Sequence, residues 1–252
     1  GTRVSPAGAV SEPGGLAISR ATGDELGPVV APSGADFLVV WQDARFGFGN
    51  YDGVAYSRST DGGRNWTNPV AVNARIDVPA FVPTVHVRDD GVVGVSYYDF
   101  RDNTAAAGSL PTTYRLAVSS DGMTWRESEI NAAFEMNRAP IARGRFLGDY
   151  QALSSNASAF SALYVRTTAP NQSAKASDIT EVMFANLADG SLKRAAQTYR
   201  ATPAPADFVP SQALLARVAQ ATERAVAWRM RGAAFDRAGS HPPNLSGSQV
   251  IF

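Results

Sequence analysis

The sequence predicts an all-β fold: a β-propeller of four-stranded antiparallel blades, about three of them recognisable, with a helix after them. Three observations predict it. A turn signature occurs twice, as Ser59-Thr60-Asp61-Gly62-Gly63-Arg64-Asn65-Trp66 and, one residue shorter, as Ser119-Ser120-Asp121-Gly122-Met123-Thr124-Trp125. Both copies stand at the same junction within a run of strand-like segments. Those runs recur at a period of about fifty residues, which suits propeller blades. A β-sandwich also has many short strands, but it gives no reason for one turn to return at one junction.

The first blade takes strands at 28–30, 37–45, 54–59 and 69–73. The second repeats them at 83–87, 93–101, 114–119 and 126–131. The second strands are alike, Phe37-Leu38-Val39-Val40-Trp41-Gln42-Asp43-Ala44-Arg45 and Val93-Gly94-Val95-Ser96-Tyr97-Tyr98-Asp99-Phe100-Arg101, each closing on Asp-x-Arg. A weaker third copy runs through 149–153, 160–165 and 181–186 and has no Trp. In the turn, Ser and Asp cap neighbouring amides, Gly supplies positive φ and Trp folds back as an apolar plug.

After residue 200 the character changes. Pro203-Ala204-Pro205 reads as a linker, and a helix is predicted over 211–231. Leu214, Val218, Ala221, Ala225 and Trp228 share one face of it. It docks on the blades, or else serves a membrane surface or a partner. The division is therefore 1–200 for the blades and 201–252 for linker, helix and polar tail.

The composition narrows the function. The 252 residues carry 23 basic and 23 acidic side chains, which argues against nucleic acid or an anionic membrane as main partner. No apolar run is long enough to span a bilayer. Without cysteine there is no disulfide, thiolate metal site or Cys nucleophile. His86 and His241 lie in no zinc-like spacing, the acids form no complete calcium set, and no cofactor motif is present.

The pattern Ser-x-Asp-x-Gly-x-x-Trp resembles the Asp-box of the sialidase (bacterial neuraminidase repeat) superfamily. Residues 59–66 fit it at every defined position; the second copy is a variant. The resemblance implies a six-bladed ring, so the chain is read as part of a longer protein whose other blades are absent. It also implies a secreted, cell-surface or periplasmic location, and the Ala/Arg-rich composition points to a bacterial source.

In an up-and-down blade the turn joining third to fourth strand lies on one face, and the end of the second strand on the other. Asp61, Trp66, Asp121 and Trp125 therefore mark a structural back. The front collects Asp43 and Arg45, Asp99 and Arg101, and the segment Arg143-Gly144-Arg145-Phe146-Leu147-Gly148-Asp149-Tyr150-Gln151. Arginines grip a carboxylate, and carboxylic acids move protons.

By resemblance, Arg45, Arg101 and Arg145 would bind the carboxylate of an acidic sugar. Tyr150 would be the nucleophile, with Glu135 as a partner for it, and Asp43, Asp99 or Asp149 the acid. The competing reading makes each Asp-x-Arg a packing salt bridge. The expected function is a sialidase-like glycoside hydrolase acting on terminal sialic acid or a related acidic sugar. The alternative is a non-catalytic propeller that binds glycan or protein.

Overall fold

The structure, a computed structural model, describes residues 27–30, 36–104, 109–140, 145–148, 151–156, 158–168, 180–188, 197–209, 211–213 and 215–216. These residues form antiparallel β-sheets joined by turns, with one short 3-10 turn at Met136–Arg138. The first sheet is built from β1 (Gly27–Val30), β2 (Phe37–Asp43), β3 (Gly53–Ser59) and β4 (Val70–Ala71) in chain order. The second repeats the plan with β5 (Ala80–Val87), β6 (Val93–Asp99), β7 (Pro111–Ser119) and β8 (Thr124–Glu129), and β9 (Phe134–Glu135) adds to the start of β7. The third holds β10 (Ala152–Asn156), β11 (Ala159–Thr167) and β12 (Thr180–Ala188).

The predicted strands of the first two units thus form, in the predicted order. The predicted plan of four strands to a unit needs correction. The third sheet has three strands among the described residues. The next strand among the described residues, β13 (Gln197–Arg200), pairs with β8, and β14 (Thr202–Pro203) pairs with β4. The first sheet is therefore five-stranded, and the second, with β9, six-stranded.

The reason is burial. β13 lays Tyr199 opposite Trp125, Ala201 is buried between the two short strands, and the Tyr199 hydroxyl donates to the Val72 carbonyl of the first sheet. This strap closes two outer edges that would otherwise stay open. The residues expected as a linker begin inside it, and the Ala204 amide donates to the Pro69 carbonyl at 2.9 Å.

The sheets pack face to face, and the second is the middle layer. Along β6, Val93, Val95 and Tyr97 meet Leu38, Val40, Val54 and Tyr56 of the first sheet. Its other face, with Tyr98, joins Tyr114 and Leu116 in meeting Phe160, Ala162 and Tyr164 of the third. Every residue of β6 is consequently buried, which is why Tyr97 and Tyr98, on opposite faces, are both core residues. Gly94 is required by this packing, because a Cβ there would sit 2.5 Å from Cε1 of Phe160.

Among the described residues no ring is closed. Of the helix predicted over 211–231, only 211–213, 215 and 216 are described; 212, 213, 215 and 216 have α-helical backbone, and the Leu215 amide donates to the Ser211 carbonyl at 3.0 Å. The rest of that segment lies outside the described residues. No helix among the described residues is long and apolar enough to cross a membrane.

The two turns share one wiring. The Ser59 hydroxyl donates to Asp61 at 2.8 Å and accepts the Gly63 amide, while Asp61 receives the amides of Arg64 and Asn65 at 2.9 Å. In the shorter copy Ser119 accepts the Gly122 amide, and Asp121 receives Met123 and Thr124 at 2.8 and 2.6 Å. Each Trp indole donates to the glycine carbonyl three residues before it, Trp66 to Gly63 and Trp125 to Gly122. The missing residue falls between the two functional ends of the turn, so the hydrogen-bond pattern survives it.

Candidate functional site

β2 and β6 end at the same edge of their sheets, opposite the Ser-Asp-Gly turns, and each ends on an aspartate. Asp43 is 1 % exposed. Its carboxylate receives the Arg45 amide at 2.9 Å, the Arg45 guanidinium at 2.7–3.0 Å and the Trp41 indole at 3.0 Å. A two-residue spacing lets the arginine fold back on the aspartate that precedes it, which closes the strand end as a bidentate pair.

The second copy opens into a larger buried charge cluster. Asp99, also 1 % exposed, meets Arg101 at 2.5 Å and Arg115 at 3.0 Å. Arg101 reaches on to Glu127 at 2.6 Å, and Glu127 accepts the Tyr97 hydroxyl and the Ala74 amide of the first sheet. Burial pushes the Asp99 carboxyl up, against the pull of Arg101 and Arg115. Both Asp-x-Arg motifs are thus closed as ion pairs, with arginines committed to carboxylates of the same chain.

At the same edge, where the second and third sheets meet, the surface is open. A depression of about 460 Å³ is lined by Phe134, Glu135, Arg138, Arg166, Thr167 and Thr168, among others. β9 positions Glu135, whose carboxylate caps the 3-10 turn by accepting the amides of Asn137 at 3.0 Å and Leu110 at 2.7 Å. Burial works to raise its pKa. The hydrogen bonds from Asn137, Leu110 and Ser109, with the Arg138 charge, hold it below the ordinary glutamate value. Glu135 is therefore anionic near neutrality and unsuited to donating a proton.

The floor is tied together by the Thr167 hydroxyl, which donates to the Glu135 carbonyl at 2.7 Å. Arg166 pairs with Glu181 at 2.5 Å. Arg138 is exposed at the rim. The depression thus offers guanidinium donors, threonine hydroxyls and one aromatic ring.

Each predicted site arginine is engaged within the chain. Arg45 binds Asp43, Arg101 binds Asp99 and Glu127, and Arg145 donates to the Ala139 carbonyl at 3.1 Å. Asp149 and Tyr150 lie outside the described residues. His86 stands in β5 with Nε2 2.9 Å from the Ser155 hydroxyl, and burial lowers its pKa. Among the described residues no group of three or more His, Asp or Glu side chains could hold a metal.

Sequence reasoning missed Arg115, Glu127, Arg138 and Arg166. Arg115 did carry a signal, since a charge inside the apolar strand Tyr-Arg-Leu-Ala-Val needs a buried partner. The two rim arginines are assembled by long-range packing and leave no local pattern. No known protein-family model matches the chain, and no curated protein matches it.

Proposed function

We propose that the chain is a propeller-type module of the Asp-box kind that binds an acidic sugar or glycoconjugate, without using Asp43 or Asp99 as a catalytic acid. The observation that carries this reading is the closure of both Asp-x-Arg pairs: each carboxylate is 1 % exposed and held by guanidinium groups. A general acid has to come within hydrogen-bond reach of its substrate, and these two face inward. The depression beside Arg138 and Arg166 supplies instead what a sugar carboxylate needs, a charged donor at the rim with hydroxyls and a ring beside it. The two Ser-Asp-Gly-Trp turns support the propeller reading, because they recur at one strand junction in successive sheets.

The test is a proton NMR time course of sialyllactose mixed with the protein, recording free sialic acid and saturation transfer to the sugar together. Saturation transfer without release is the expected result. Silence in both channels would overturn the proposal. Release of sialic acid would select the hydrolase reading, with Tyr150 as nucleophile and Asp149 as acid; Tyr150→Phe would then abolish turnover.

A further inference from the structure

Arg138 stands on a turn too short to hold itself. Met136–Arg138 is a single 3-10 turn, and a helical piece of that length is unstable in isolation. Its order comes from neighbours. The Met136 amide donates to the Leu110 carbonyl at 3.0 Å, and the Ala139 amide returns to the Met136 carbonyl at 2.9 Å. Met136 and Ala139, each 1 % exposed, sink into the core that the second and third sheets share. Arg138, between them, is exposed.

Glu135 ties this turn down. Its carboxylate accepts the Asn137 amide at 3.0 Å as the cap of the turn, the Leu110 amide at 2.7 Å and the Ser109 hydroxyl at 3.0 Å. Its carbonyl accepts the hydroxyl of Thr167, the last residue of β11, at 2.7 Å. One residue thus fixes the turn both to the segment leading into β7 and to the third sheet, within the depression that Arg138 also lines.

We propose that Glu135 is a positioning residue: by capping the turn it holds Arg138 ready for the carboxylate of an acidic sugar, without binding the sugar itself. The inference rests on the depression being the sugar site. An arginine on a loose loop loses freedom when it binds, and that cost is subtracted from affinity. A turn already tied down has met the backbone part of the cost on folding. The sign of the effect separates this role from a purely electrostatic one. The Glu135 carboxylate lies close enough to Arg138 to feel its charge, so as a charge alone it would oppose an incoming carboxylate and its removal would tighten binding. As a cap it acts in the opposite sense, because its removal frees the turn.

The test compares the concentration dependence of saturation transfer to sialyllactose in the wild type and in folded variants. Glu135→Ala should weaken binding roughly threefold or more. The Glu135→Ala/Arg138→Ala double variant should bind no more weakly than Arg138→Ala alone. Glu135→Gln keeps an oxygen for the Leu110 and Asn137 amides and should recover most of the loss. Unchanged or tighter binding in Glu135→Ala overturns the proposal; so does a glutamine variant as weak as the alanine variant, or a double variant in which the two losses multiply. Each of these leaves the sugar site standing where Arg138→Ala weakens binding. A wild type that gives no saturation transfer, or an Arg138→Ala variant of unchanged affinity, removes that site and the proposal with it. If Glu135→Ala fails to fold, nitrogen-15 relaxation of the wild type decides. Asn137 and Arg138 amides as rigid without sugar as with it support the role, and amides that become rigid only when sugar is added overturn it.

Discussion

Arg101 holds Glu127 at 2.6 Å, while the other oxygen of that carboxylate receives the Ala74 amide at 3.1 Å. One buried glutamate therefore links the charge cluster of the second sheet to the backbone of the first. Removing one partner of a buried pair leaves the other charge uncompensated. Glu127→Ala should cost about 3–5 kcal/mol, read as a lowered urea midpoint.

The contact between Gly94 and Phe160 sets a second expectation. A methyl group at 94 would lie 2.5 to 2.9 Å from three atoms of the Phe160 ring, so the second and third sheets would have to separate or the ring would have to move. Gly94→Ala should destabilise by about 1–3 kcal/mol. Adding Phe160→Leu should recover part of that loss in a double-mutant cycle, whereas additive effects would place the strain elsewhere.

The Ser-Asp-Gly turns should respond to acid. The Asn65 amides, the Ser59 hydroxyl and the Arg64 amide hold Asp61 at about 2, and the amides of Thr124 and Met123, with the Ser119 and Thr124 hydroxyls, hold Asp121 at about 2. A carboxyl whose folded pKa lies below its ordinary value of 3.8 stabilises the fold above that value. The contribution is lost as pH falls through the folded pKa. Melting temperature should therefore drop between about pH 4 and pH 2, and carbon-13 titration of both carboxyls should give midpoints near 2.

Arg138 carries the ligand prediction. A guanidinium bonded to a carboxylate contributes about 1.5–3 kcal/mol, so Arg138→Ala should weaken sialyllactose binding roughly tenfold or more, read from the concentration dependence of saturation transfer. An unchanged affinity would move the binding site away from the depression.

The strands were legible because short β-branched and aromatic runs, punctuated by Gly and Pro, leave few alternatives. The turns were legible because their chemistry is local: Ser59, Asp61 and the glycines satisfy one another within a few residues. The Asp-x-Arg pairs were visible as pairs, but their burial was not, since it depends on which sheets stack over them. The strap escaped notice because Gln-Thr-Tyr-Arg is polar and gains its structure from an edge already in place. The rim arginines were hidden in the same way, Arg138 following β9 and Arg166 near the end of β11, and only the packing of two sheets makes them neighbours.

The strap also fixes an order of events at the ribosome. Thr202 pairs with Ala71, 131 residues earlier, and at synthesis rates of roughly 5–20 residues per second that interval lasts on the order of ten seconds. For that time the first sheet exists with its β4 edge bare beside a growing chain. A nascent polypeptide in that state is a natural client for chaperones that shield unpaired strands, and a truncation anywhere before residue 202 would leave every copy in it permanently. The strand made late is the one that finishes the sheet made first.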